Sequence, residues 1–134
     1  MIHKIEHIGI AIKDAEKSES IFNALFNNKP YKREVVESEM VQTIFYQNGP
    51  NKIELLQALS EDSAIAKFIA KKGEGIHHIA FAVDDIVVEL ARLKAEGFQL
   101  INETPKDGAD NKLIAFVHPK DTNGVLIELC QEKP

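Results

Sequence analysis

Apolar residues recur along the chain in two rhythms. Residues 4–12 and 76–83 are rich in Ile and Val and alternate in side-chain size, which predicts strands. Each runs into an acidic helix-start signal, Asp14 in one case and Asp84–Asp85 in the other. Ile21, Phe22, Leu25 and Phe26 then recur at helical spacing, as do Ile86, Val87, Leu90, Ala91 and Leu93. The segments NNKP and EGF stop these helices. Three further strands are predicted after each helix, near 31–37, 41–47 and 51–58 in the first half and 98–103, 112–118 and 124–131 in the second. Between the halves, residues 60–75 read as a short linking helix with a Ser or Asp cap and a glycine exit. Each half is therefore β-α-β-β-β, with modules near 1–60 and 75–134 around a linker near 61–73.

The two halves are copies. IEHIGIAIKD (5–14) and IHHIAFAVDD (76–85) share five of ten positions, and KIELLQ (52–57) and LIELCQ (126–131) share four of six. His7 thus corresponds to His78 and Glu54 to Glu128, at offsets of 71 and 74. In the first strand His7 shares a face with Ile5, Gly9 and Ala11, while Ile8, Ile10 and Ile12 lie opposite. In its copy His78 shares a face with Ile76, Ala80 and Ala82, against Ile79, Phe81 and Val83. The bulky faces are suited to pack on helices, and the histidine faces are kept small, as a pocket requires.

A carboxylate in an apolar strand must be paired or bound to a metal. Taken singly, a strand histidine is usually a hydrogen-bonded core residue and a strand glutamate usually faces solvent. Four such residues related by one repeat point instead to a metal site. Two neutral imidazoles and two carboxylates suit a divalent borderline ion such as Co²⁺, Ni²⁺, Zn²⁺ or Mn²⁺.

Length, charge and cysteine content narrow the setting. The 134 residues are one domain's worth of chain. A net charge of −5 argues against general nucleic-acid binding. The single cysteine, Cys130, forms no internal disulfide, which fits a reducing compartment. No signal segment or bilayer-spanning run is read, so the expected location is cytoplasmic, without a membrane partner. There is no Gly-rich phosphate loop, no Ser-His-Asp signal and no zinc-finger spacing.

The segments EHIGIAI, KIELLQALSEDSAIAKFIAKKGEGIHHIAFAVDDI and HPKDTNGVLIELCQ resemble the methylmalonyl-CoA epimerase family of the vicinal oxygen chelate superfamily, which includes glyoxalases and bleomycin resistance proteins. The resemblance covers the whole chain. It implies an α+β glyoxalase-like fold, in which two tandem βαβββ modules form a cupped mixed eight-stranded sheet around a metal site. It maps metal ligation onto His7, Glu54, His78 and Glu128. It implies an acyl-CoA substrate, a homodimer, and inversion at C2 of methylmalonyl-CoA through a stabilised enolate. Glu128 is a candidate base, with Glu54 or a metal-bound water the candidate for the other. Some epimerases carry a glutamate where this chain has Thr43, and a slip of a few residues would instead bring in Glu37, Glu39 or Gln42. A glyoxalase I-type lyase would use the same four ligands on a hemithioacetal, but it typically has a shorter DPDGYxIEL segment and a single histidine in GHIA. The antibiotic-sequestering binding members commonly lose the ligands, and all four are present here. Of the remaining residues, His77 is expected to pack on the strand's other face and Cys130 to fill the core. His118 reads as a turn residue or a substrate contact. Lys112, Lys120 and the 103–112 loop are candidate holders of CoA phosphates, weighed against ordinary solvated lysines.

Overall fold

The computed structural model describes residues 1–134. The elements in chain order are β1 (Ile2–Ile12), α1 (Ala15–Phe26), β2 (Lys32–Val36), β3 (Val41–Asn48), β4 (Asn51–Ala58), α2 (Ala64–Lys72), β5 (Gly75–Val83), α3 (Ile86–Ala95), β6 (Lys106–Asp107), β7 (Lys112–Val117) and β8 (Ile127–Glu132). This is the α+β order expected from the repeat. The chain divides into two compact units, one of His7–His77 and one of His78–Pro134 together with Met1–Glu6.

In the first unit the strands lie in the order β2-β3-β4-β1, with β1 parallel to β4 and the other pairs antiparallel. Asp14 caps α1 by accepting the Lys17 N–H at 3.1 Å, and Asn27 closes it in the left-handed conformation. Phe22 and Phe26 of α1 pack on Ile10, Ile12, Ile44 and Leu55, so the bulky face of β1 meets its helix as the alternation implied. Ile21 and Leu25 are exposed, because only one side of the apolar stripe fits the sheet. Tyr46, fully buried, meets the Asn23 side chain through its hydroxyl at 2.7 Å. Ser63 caps α2, which packs Ile65, Phe68 and Ile69 on Ala11, Val41 and Leu56.

The second unit repeats the plan, with order β5-β8-β7-β6 and β5 parallel to β8. Asp85 caps α3 at the Val88 N–H, and Ile86, Leu90 and Leu93 pack on Val83, Ala115, Val117 and Leu129. The strand expected over 98–103 is absent. Only Leu100 bridges, to Val117, and the paired residues of that part of the chain are Lys106–Asp107. Two features interrupt the ladder. The Asn102 side chain takes the Phe116 N–H at 2.9 Å, and Pro105 has no N–H to donate. The last strand likewise begins at Ile127 rather than 124, since Asn123 and Gly124 have positive φ and form a turn.

Asp110 and Asn111, both with φ of 57°, lie in the turn of residues 109–111 that carries the chain from β6 into β7. Gly108 in this hairpin donates to the Lys112 carbonyl at 2.9 Å, and a Cβ added there would lie 2.8 Å from the buried Ile114 side chain. Gly108→Ala is therefore expected to lower stability by about 1–3 kcal/mol through overpacking, a fall of several degrees in Tm on thermal unfolding. An unchanged midpoint would mean that Ile114 moves aside freely.

Candidate metal centre

Both histidine–glutamate pairs form, each within its own unit. In the first, His7 Nδ1 lies 3.1 Å from Glu54 Oε2, and each residue is 5% exposed. In the second, His78 Nε2 lies 3.5 Å from Glu128 Oε1, and these residues too are 5% exposed.

Strand register explains why the pairs recur. Glu54 stands opposite Gly9, two residues beyond His7 on the parallel neighbour, and Glu128 stands opposite Ala80, two beyond His78. Two residues along a strand return to the same face, so histidine and glutamate meet diagonally across one pair of strands. The residue between them is glycine or alanine in both units, which leaves the two side chains room to converge. On the other flank Glu54 faces Phe45 and Glu128 faces Phe116. The His78 ring meets Phe116 edge-on, with centroids 5.9 Å apart. These aromatic rings exclude water from the carboxylates and strengthen any charge interaction made there.

The donor set fits a divalent ion. Two donors each about 2.0–2.2 Å from one ion are separated by about 3.0–3.5 Å, the spacing of both pairs. Imidazole nitrogens and carboxylate oxygens together suit a borderline metal.

The other residues singled out in the sequence fall as follows. His77 packs edge-on against Phe68, with centroids 5.0 Å apart, and burial pushes its imidazole down to about 4. It is a packing residue, as the alternation implied. His118 caps a short 3₁₀ turn by accepting the Lys120 N–H at Nδ1. Thr43 is buried, opposite Leu56, and Glu37 and Glu39 lie in the 3₁₀ turn that feeds β3. Lys120 is exposed, whereas Lys112 is buried and its Nζ pairs with Glu132 Oε1 at 3.3 Å, so it is no solvated lysine. Cys130 is buried against Ala80 and Ile114. Sequence reasoning missed Glu6, which is 6% exposed and has a carboxylate oxygen within 4.8 Å of Cys130 Sγ. The available signal was its position in the repeat, where its counterpart is the partly buried His77.

Residues 6–116 match the Glyoxalase/Bleomycin resistance protein/Dioxygenase superfamily. The chain belongs to this superfamily. Within it, the ethylmalonyl-CoA/methylmalonyl-CoA epimerase of Cereibacter sphaeroides is 38% identical over 133 residues, covering 98% of this chain and 99% of that protein. Among solved structures, methylmalonyl-CoA epimerase from Mycobacterium tuberculosis superposes with a TM-score of 0.94 at 32% identity, over 99% of this chain and 90% of that one. A methylmalonyl-CoA epimerase in complex with methylmalonyl-CoA and NH4+ superposes with a TM-score of 0.91 at 33% identity, over 98% of this chain and 96% of that one. The superfamily's glyoxalase-like fold therefore extends over both repeats. No helix of this member is long and apolar enough to cross a membrane.

Proposed function

We propose that this protein is a metal-dependent methylmalonyl-CoA epimerase, with His7, Glu54, His78 and Glu128 together holding one divalent ion. The observation that carries the reading is the repeated register: two buried histidine–glutamate pairs, each opposed by a residue no larger than alanine. Near full-length similarity to epimerases of this substrate supports the same reading. The ion proposed is Co²⁺, with Ni²⁺, Zn²⁺ or Mn²⁺ as alternatives for the same imidazole and carboxylate donors. A cytoplasmic homodimer is part of the proposal. The exposed apolar side chains of Ile21, Leu25 and Val35, the last on strand β2 at the end of its sheet, support self-association.

The reaction inverts C2, the carbon between a thioester carbonyl and a carboxylate. His7, Glu54, His78 and Glu128 would hold the ion, which would supply Lewis-acid stabilisation of the charge developing on the thioester. Inversion requires proton transfer on opposite faces of C2. Glu128 is the base on one face, with His78 positioning its carboxylate. Glu54, positioned in the same way by His7, is the base on the other. Thr43 has no basic group to offer, so the alternatives to Glu54 in that unit are Glu37 and Glu39.

The test is proton NMR of methylmalonyl-CoA in D₂O with Co²⁺-loaded protein and an EDTA-treated control. Deuterium is expected to enter C2 at a catalytic rate only in the metal-loaded sample. A metal-loaded protein that leaves C2 untouched would sink the reading.

A further inference from the structure

The two units repeat strand for strand but differ in what lies on the sheet face that carries the glutamate. In the first unit that face continues from Glu54 through Ala11, Val41 and Leu56, and α2 packs onto it. Register fixes the counterparts. Ala11 opposite Leu56 becomes Ala82 opposite Cys130, and Val41 opposite Ala58 becomes Lys112 opposite Glu132. In the second unit this place holds a cavity of about 370 Å³, lined by Lys4, Glu6, Ala82, Lys112, Cys130 and Glu132 among others. Where one copy is apolar and covered, the other is open and carries a buried ammonium.

Lys112 is 6% exposed, yet its partner Glu132 has a side chain 83% exposed. Glu132 is free to turn to solvent, but doing so leaves the buried Lys112 ammonium uncompensated, which is unfavourable unless another anion takes its place. Asp84, also on the wall, is engaged by His3. The cavity wall also carries Lys4 and the Glu6 carboxylate.

We propose that this cavity is a substrate subsite, in which the Lys112 ammonium takes the place of its contact with Glu132 by binding an anionic group of the acyl-CoA thioester. The group is the acyl carboxylate or a CoA phosphate. Strand β8 carries Glu128, Cys130 and Glu132 on one face, so part of the subsite's wall shares a strand face with the ligand pair of its unit. The inference rests on the epimerase reading and adds a specificity residue to it.

The duplication supplies variants that the sheet is known to accommodate. Lys112→Val and Cys130→Leu install the residues that the first unit carries at the equivalent positions, Val41 and Leu56. Steady-state kinetics with methylmalonyl-CoA should show Lys112→Val raising KM by about ten- to a hundredfold, as expected for loss of a charge-assisted bond, with kcat changed less and metal content unchanged. Cys130→Leu narrows the cavity and should raise KM too. Glu132→Ala should leave KM unchanged or lower it. If Lys112→Val left KM unchanged, or if Glu132→Ala raised it equally, the pair would be purely structural and the inference overturned. Repeating the series with methylmalonyl-pantetheine separates the two anions. A persisting Lys112→Val effect assigns the carboxylate, and a vanished one assigns a CoA phosphate. Absence of metal-dependent exchange in the unaltered enzyme would instead remove the epimerase reading, and this subsite with it.

Discussion

His78→Ala is expected to lose tight metal binding and epimerase activity together, with kcat/KM falling by about a thousandfold or more. The magnitude follows from the several kcal/mol of charge stabilisation that a Lewis acid contributes at a developing enolate. The imidazole also positions Glu128 at 3.5 Å and meets Phe116, so truncation additionally lowers stability by about 1–3 kcal/mol. Metal content by atomic emission and deuterium exchange at C2 read the two losses separately. His7→Ala, whose side chain belongs to the other compact unit, should show the same combined loss. Two local collapses in separate units would not be expected to give one phenotype. If either variant kept both its metal and full activity, the four-ligand assignment would be wrong.

Glu128→Gln removes a candidate base and the charge of a proposed ligand together, so it is read on protein whose metal content matches that of the unaltered enzyme. The amide keeps the shape and the place beside His78 and Phe116, but it cannot accept a proton at neutral pH. Epimerisation should fall by about 10²–10⁴-fold, the range of general-base catalysis. The effect should also be lopsided. With one base removed, the stereoisomer whose proton faces the other base should still exchange with D₂O, while its mirror partner at C2 should not. Equal loss of exchange from both isomers would remove Glu128 from the role of a one-face base and leave it a ligand only.

The two histidine–glutamate pairs were legible in the sequence because they are written twice. His7 and Glu54 alone are an ordinary histidine and an ordinary glutamate, and their recurrence as His78 and Glu128 made the pairs readable before any register was known. The register itself needed the structure, and it supplied the reason for Gly9 and Ala80 between the partners. The element order was read correctly for the same reason, but one strand was not. Residues 98–103 have strand-like composition, and the competition that breaks them is a tertiary one, the Asn102 side chain taking the Phe116 N–H. Helix faces were half legible. The spacing of Ile21, Phe22, Leu25 and Phe26 admits two neighbouring stripes, and only packing against Ile10 and Leu55 selects Phe22 and Phe26. Lys112 could not be recognised as buried, because its burial depends on the hairpin before it and on Glu132 at the far end of β8. At the strand position where some epimerases carry a glutamate the chain has Thr43, and the neighbouring carboxylates lie in a turn, which leaves Glu54 as the candidate for the second base.

The assignment of Met1–Glu6 to the unit of residues 78–134 bears on the order of folding. The unit of His7–His77 is continuous in sequence and holds all its strand partners by the time residue 77 has been added. The other unit draws on both ends of the chain, and its ladder between β5, β8 and β7 cannot close before residues 127–132 exist. Residues 1–6 thus precede the His7–His77 unit in the chain but find their contacts only after residues 127–132 have been added. Closing that loop costs an entropy that grows only slowly with its length, and it is deferred behind the folding of the His7–His77 unit.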